Sequence, residues 1–78
     1  MDKEKFLAMM PFITSDLAGE IAKKENIDER DAILKLYNSR LYELLSEEET
    51  KIWQYSTTML YNLYKQEENS GKIEFPDT

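Results

Sequence analysis

An all-α domain, a small compact bundle of about four short helices, is the fold this sequence predicts. Two observations carry it. Apolar residues recur three and four apart along nearly the whole chain, and period-two alternation is hard to find. Only two glycines and two prolines interrupt it, which leaves room for short connections. The length, 78 residues, predicts one helical domain over residues 1–71, with residues 72–78 as a C-terminal tail. Domains this small leave roughly 40% of the surface of the unfolded chain wet.

The first segment runs from about Lys3 to about Lys24. Phe6, Met10, Ile13, Leu17 and Ile21 form one stripe down one face. Pro11 sits inside it, where proline costs roughly 3 kcal/mol or more in a helix interior. Two readings are open: one helix kinked at Pro11, or a short turn ending near Met9 and a new helix with Pro11 in its first turn, where proline is tolerated. The second is the favoured expectation. Gly19 suggests close approach of another helix.

Asn26-Ile27-Asp28 ends this segment and opens the next. Asp28 is an N-cap whose carboxylate can accept first-turn amides. Glu29 and Asp31 suit the positive end of the dipole, and Ile27 can staple against Ala32. Ala32, Ile33, Leu36 and Tyr37 point inward, and Asp31 pairs with Lys35 on the outside. The densest apolar and aromatic stretch is Leu36–Leu45, and Asn38-Ser39 at its centre reads as a bend between two helical pieces. A short helix carrying Leu41, Tyr42, Leu44 and Leu45 follows. Ser46-Glu47-Glu48-Glu49 reads as a capping box, with Glu49 reaching back. A turn or two holds Ile52, Trp53 and Tyr55. Ser56-Thr57-Thr58 is either a fresh N-cap or part of a continuing helix. The last helix carries Met59, Leu60, Leu63 and Tyr64 and stops at Asn69–Gly71, with glycine available for a left-handed cap. In the tail Ile73 and Phe75 can lie extended against the body. The predicted core is Phe6, Ile13, Leu17, Ile21, Ile33, Leu36, Tyr37, Leu41, Leu45, Trp53, Leu60, Leu63 and Tyr64.

Composition excludes several chemistries. There is no cysteine and no histidine, so disulfides, thiolate metal sites and the usual general base and zinc ligand are absent. Gly19 and Gly71 are isolated, so no phosphate-cradling loop exists. Glu47–Glu49 point different ways on a helix and are explained by capping rather than by a cation. Asp28, Glu29 and Asp31 share one exposed helix start instead of facing across a cleft. Ser39 and Ser56 lack an activating base. The expectation is a chain that is not an enzyme and holds no metal or cofactor, with no small-molecule substrate evident.

Sixteen acids against ten bases give a net charge of −6, spread over both halves. Such a surface repels a phosphate backbone, so nucleic acid is disfavoured as a partner. The alternative is a helix-turn-helix-like DNA-binding regulator with Asp28–Asn38 as recognition helix, but acids outnumber bases there. Phe6–Ile13 is far too short to span a bilayer, and Asp2 and Glu4 spoil a signal peptide. A cytoplasmic location without membrane association is expected.

Five tyrosines, three phenylalanines, a tryptophan and four methionines are more than so short a chain can bury. Core packing accounts for most of them. Met9, Tyr55, Met59 and Tyr61 fall beside the core stripe and are the candidate partner-binding residues, since Tyr and Met favour interface centres.

Asp16-Leu17, Ile21, Ile27, Asp31-Ala32, Leu36-Tyr37-Asn38-Ser39, Tyr42, Leu45, Glu49-Thr50, Trp53, Ser56 and Leu60-Tyr61-Leu63-Tyr64 together resemble a group of short uncharacterised bacterial helical proteins. In that group an acid and alanine open the second helix, a Tyr-Asn-Ser-like trio ends it, and Trp and Ser precede an aromatic-rich last helix. The resemblance covers roughly residues 10–66. It departs at Thr57, where the group often has proline. Members look like neighbours of toxin–antitoxin-type gene pairs, which implies an antitoxin-like or accessory binding role and brings no catalytic residue. The expected function is an acidic protein-binding module whose partner is another protein or a second copy of itself, as a homodimer.

Overall fold

A computed structural model describes residues 2–75. The chain forms a small all-α bundle: α1 (Asp2–Glu25), α2 (Glu29–Tyr37), α3 (Arg40–Leu45), two single 3-10 turns (Glu48–Thr50 and Ile52–Gln54) and α4 (Thr57–Ser70). At 1.5 Å per residue, the 24 residues of α1 span about 36 Å and account for the longest dimension of the molecule, 37 Å.

α1 is one continuous helix through Pro11, so the favoured break near Met9 is not formed. Pro11 lies on the exposed side, where the carbonyl left without its amide partner can be solvated. Packing holds the axis on both sides of it. Phe6, one turn before, is buried edge-on against Trp53 with ring centroids 5.6 Å apart, and Leu17 and Ile21, beyond it, are fully buried. Burying side chains of this size is worth about 1.5–3 kcal/mol each, enough together to offset the proline. Gly19 serves no close approach: a Cβ there would meet nothing within 4 Å.

The α1–α2 turn is a Schellman motif. Asn26 takes the left-handed conformation at φ 56°, which asparagine tolerates, and the Ile27 N–H donates to the Ala22 carbonyl at 3.0 Å. Asp28 occupies the N-cap position, but its side chain accepts no capping hydrogen bond. Its carboxylate contributes charge there rather than a cap. Lys35 pairs not with Asp31 but with Glu25 at 2.9 Å and Glu68 at 3.2 Å.

The bend at Asn38-Ser39 is present. Ser39 is buried, donates its hydroxyl to the Leu36 carbonyl at 2.5 Å and accepts the Tyr42 N–H at 3.1 Å. Tyr37 is a correction: it is 50% exposed. Ala32 and Leu36 occupy the inward face of α2, and Tyr37 sits about 100° round from Leu36, where its ring packs at a tilt of 49° against Tyr42 with centroids 4.8 Å apart.

The expected capping box at Ser46–Glu49 is also not formed. Ser46 is the C-cap of α3 and returns its hydroxyl to the Tyr42 carbonyl at 2.8 Å, while Glu47 precedes a 3-10 turn with no side-chain cap. Lys51, at φ 61°, separates the two 3-10 turns. Between them they sink Ile52 and Trp53 into the core, and the indole N–H donates to the Glu48 carbonyl at 3.1 Å. Ser56 caps α4 by accepting the Met59 N–H at 3.1 Å, which decides for a fresh helix. Gly71, at φ 75°, ends it as expected. In the tail, Ile73 packs against the core and the Glu74 N–H donates to Gln66 Oε1 at 2.9 Å, whereas Phe75 is exposed. The last part of the expected tail, 76–78, lies outside the described residues.

The remaining core expectations hold in kind. Phe6, Leu17, Ile21, Leu36, Leu41, Leu45, Trp53, Leu60, Leu63 and Tyr64 are buried, and Ile13 and Ile33 pack half-buried against them.

Candidate protein-docking surface

The described residues include six exposed large apolar side chains: Leu7, Met9, Phe12, Leu34, Tyr37 and Phe75. All but Phe75 belong to the first half of α1 or to α2. Helical geometry explains the concentration. With Phe6, Met10, Ile13 and Leu17 turned to the core, residues 7, 9 and 12 point to the flanks at 100° per residue, and the chain places leucine, methionine and phenylalanine there. Phe12 is 71% exposed and Leu7 60%, so these side chains gain little from folding.

Two grooves run along this half of α1. One, between α1 and α2–α3, encloses about 530 Å³ and is lined by Leu7, Met10, Pro11, Thr14, Ser15, Ala18, Glu29, Ile33, Tyr37 and Tyr42. The other, of about 550 Å³, lies between α1 and the start of α4, with Lys5, Met9, Ile13, Asp16, Trp53, Tyr55 and Leu60 in its lining. Of the four predicted partner-binding residues, Met9 and Tyr55 therefore share a groove. Met59 is half-buried on α4. Tyr61 is half-buried too, its ring 6.2 Å from Tyr64 and 5.5 Å from the Lys24 ammonium. Neither lines the groove that Met9 and Tyr55 share. Leu7, Phe12, Leu34 and Tyr37 escaped sequence reasoning. The signal for Leu7 and Phe12 was their phase on α1, off the stripe.

At the other end of the molecule, Glu25, Lys35, Lys65 and Glu68 tie α1, α2 and α4 together. Lys65 reaches Glu68 at 2.5 Å and Glu25 at 3.5 Å. Hydrogen bonds to Glu25 and then Glu68 hold the Lys35 ammonium well above the ordinary lysine range. A hydrogen bond from Lys65, and a weaker one from Lys35, keep the Glu68 carboxyl below the usual carboxylate range. Burial, followed by the Glu25 and Glu68 charges, pushes the Tyr64 phenol up. Each of these charges has an opposite partner, so the cluster acts as a clasp between helices.

Among the described residues no three acidic side chains converge on a point that could hold a metal ion, and no buried side-chain polar atom lacks a hydrogen-bond partner. Among the described residues no helix is long and apolar enough to cross a membrane. Comparison with known protein families, with curated proteins and with solved structures gives no match.

Proposed function

We propose that this chain is a small cytoplasmic protein-binding module, without catalysis of its own, that docks a partner through the first half of α1 and the adjoining face of α2. The antitoxin-like or accessory role implied by the resemblance is one form of this function. The observation that carries it is the concentration of exposed apolar side chains on two neighbouring elements: Leu7, Met9 and Phe12 on the first half of α1, and Leu34 and Tyr37 on α2, with Leu7 and Tyr37 lining one groove and Met9 the other. Scattered exposed apolar residues are ordinary, whereas their concentration on adjoining elements marks an interaction site. Met9 and Tyr55 line the groove on the other flank of α1, and Met59 and Tyr61 line neither groove.

Charge on α2 favours a protein partner over DNA. Glu29 and Asp31 are exposed beside Arg30, and Lys35 is committed to Glu25 and Glu68. A groove-entering helix needs free bases on that face.

The test is site-specific photo-crosslinking in the native cell, with a benzophenone amino acid at Phe12 or, as a control, at exposed Asn62 on α4. A discrete adduct from position 12 alone, lost when Leu7 and Leu34 are both changed to serine, supports the module. No adduct from position 12, or the same adducts from both positions, overturns it.

A further inference from the structure

Resting on that protein-binding reading, we infer that the α1–α2 groove receives an amphipathic helix of another protein, lying along α1 with a basic residue against Glu29. The shape argument comes first. Leu7, Met10, Pro11, Thr14 and Ala18 are spaced three or four apart, one ridge of α1. They cover eleven residue steps, about 16 Å or three helical turns. Opposite them stand Ile33 and Tyr37 of α2, and Tyr42 at the far end. The seat is thus a trough between α1 and α2, with small side chains (Thr14, Ser15, Ala18) toward one end of its α1 wall and Leu7 and Met10 toward the other. Apart from the Leu7 carbonyl, which Pro11 leaves without an amide partner, both wall helices satisfy their backbone hydrogen bonds within themselves. An extended peptide would find no strand edge to pair with, whereas a helix brings its backbone already satisfied and needs only an apolar face.

Charge selects which helix. Glu29 is the one acidic or basic side chain in the lining, and exposed Asp28 and Asp31 lie within two residues of it in the chain. Among the described residues no ion pair engages these three acids. Arg30 is the one base within residues 28–31, so the start of α2 at this end of the trough is net negative. A second copy of the chain would bring another net charge of −6 and would meet repulsion. A helix carrying Lys or Arg at this end relieves it, and electrostatic complementarity sets partner choice and encounter rate.

The test selects binders to the intact chain from a phage library of helical peptides about four turns long, with leucines held at i, i+3 and i+7 and the other positions random. The expected binders carry Lys or Arg at one end. They shift the amide signals of Thr14, Ala18, Ile33 and Tyr37 and spare those of Gln54–Thr57. Glu29→Lys should weaken them about tenfold, the equivalent of 1.4 kcal/mol, Glu29→Gln less. Ser15→Trp, which fills the trough from an exposed position, should abolish binding while melting temperature and helix signal are kept. Recovery of no binder, binders without a basic end, shifts confined to the Met9–Tyr55 groove, or a dimer in sedimentation that buries Tyr37 would each overturn the inference. A crosslink from Phe12 that survives Ser15→Trp would overturn the helix-in-groove inference and leave the protein-binding reading standing; absence of the position-12 crosslink from the unsubstituted chain would remove both.

Discussion

The carboxylate of Glu67, late in α4, accepts the backbone N–H of Arg40 at 2.7 Å, and its second oxygen accepts that of Leu41 at 2.9 Å. Arg40 and Leu41 open α3, a helix of six residues that is far too short to be stable alone. A helix start leaves four amides without intrahelical partners. Here all four are satisfied: Ser39 N–H by the Leu36 carbonyl, Arg40 and Leu41 by Glu67, and Tyr42 by the Ser39 hydroxyl. A carboxylate from 26 and 27 residues away thus makes α3 dependent on the docking of α4.

Removing that carboxylate should be expensive for a surface-level change. Glu67→Ala is expected to lower stability by about 1–3 kcal/mol, the range for charge-assisted capping bonds. Glu67→Gln, which keeps one acceptor oxygen, should fall between. Urea denaturation followed by circular dichroism measures both, and a loss within about 0.5 kcal/mol for the alanine variant would mean that α3 does not depend on the contact.

The two serine caps should differ. Ser39 is buried and makes two hydrogen bonds, whereas Ser56 is exposed and caps with one. Ser56→Ala should cost about 1 kcal/mol. Ser39→Ala should cost more, about 2 kcal/mol, because it leaves the Tyr42 amide without its acceptor and removes a buried hydrogen bond to the Leu36 carbonyl, which keeps only the residue-39 N–H. Equal losses in parallel urea titrations would contradict the difference in burial.

Pro11 can be removed to advantage. It sits exposed inside a continuous helix, so Pro11→Ala restores an amide for the Leu7 carbonyl and relieves a clash. The expected gain is about 1–3 kcal/mol. It would appear as a higher urea midpoint with unchanged m-value. Destabilisation would mean that the folded state needs the bend proline imposes.

Stability should depend on pH at both extremes through the Glu25–Lys35–Lys65–Glu68 clasp and Tyr64. Glu68 titrates in the folded state below its ordinary 4.5. Its contribution is therefore present above that value and lost as pH falls through the folded pKa. Lys35 is raised above 10.5 and Tyr64 above 10.0. Their contributions are present below those values and lost as pH rises through the folded ones. A stability plateau with an acid limb below 4.5 and an alkaline limb above 10.0 is expected. Lys35→Met should flatten both limbs, and salt should weaken them because the clasp is largely exposed. Thermal melts across the pH range check this; identical limbs in the variant would exclude Lys35 as their source.

Much of the architecture was readable because it depends on local periodicity. The stripe through Phe6, Met10, Ile13, Leu17 and Ile21 defines α1, and Ser39, Ser56 and Gly71 mark boundaries by their own side-chain or backbone chemistry. Where local signals conflicted, distant contacts prevailed. Pro11 argues locally for a break, but Phe6 against Trp53 and Leu17 in the core keep the helix whole. Ser46–Glu49 has the letters of a capping box, yet burial of Ile52 and Trp53 turns the chain into 3-10 geometry there.

The proposed docking surface divides along the same line. Composition alone established that aromatic and methionine side chains exceed what 78 residues can bury. Met9 was placed beside the stripe by its phase on one helix, information contained within a few residues. Tyr37 looked like core because it follows Leu36 in an apolar run. Its exposure was decided by which face of α2 the other helices cover, and helix crossing is a relation between segments far apart in the chain. The α1–α2 trough exists for that reason only after assembly: no stretch of sequence contains both of its walls.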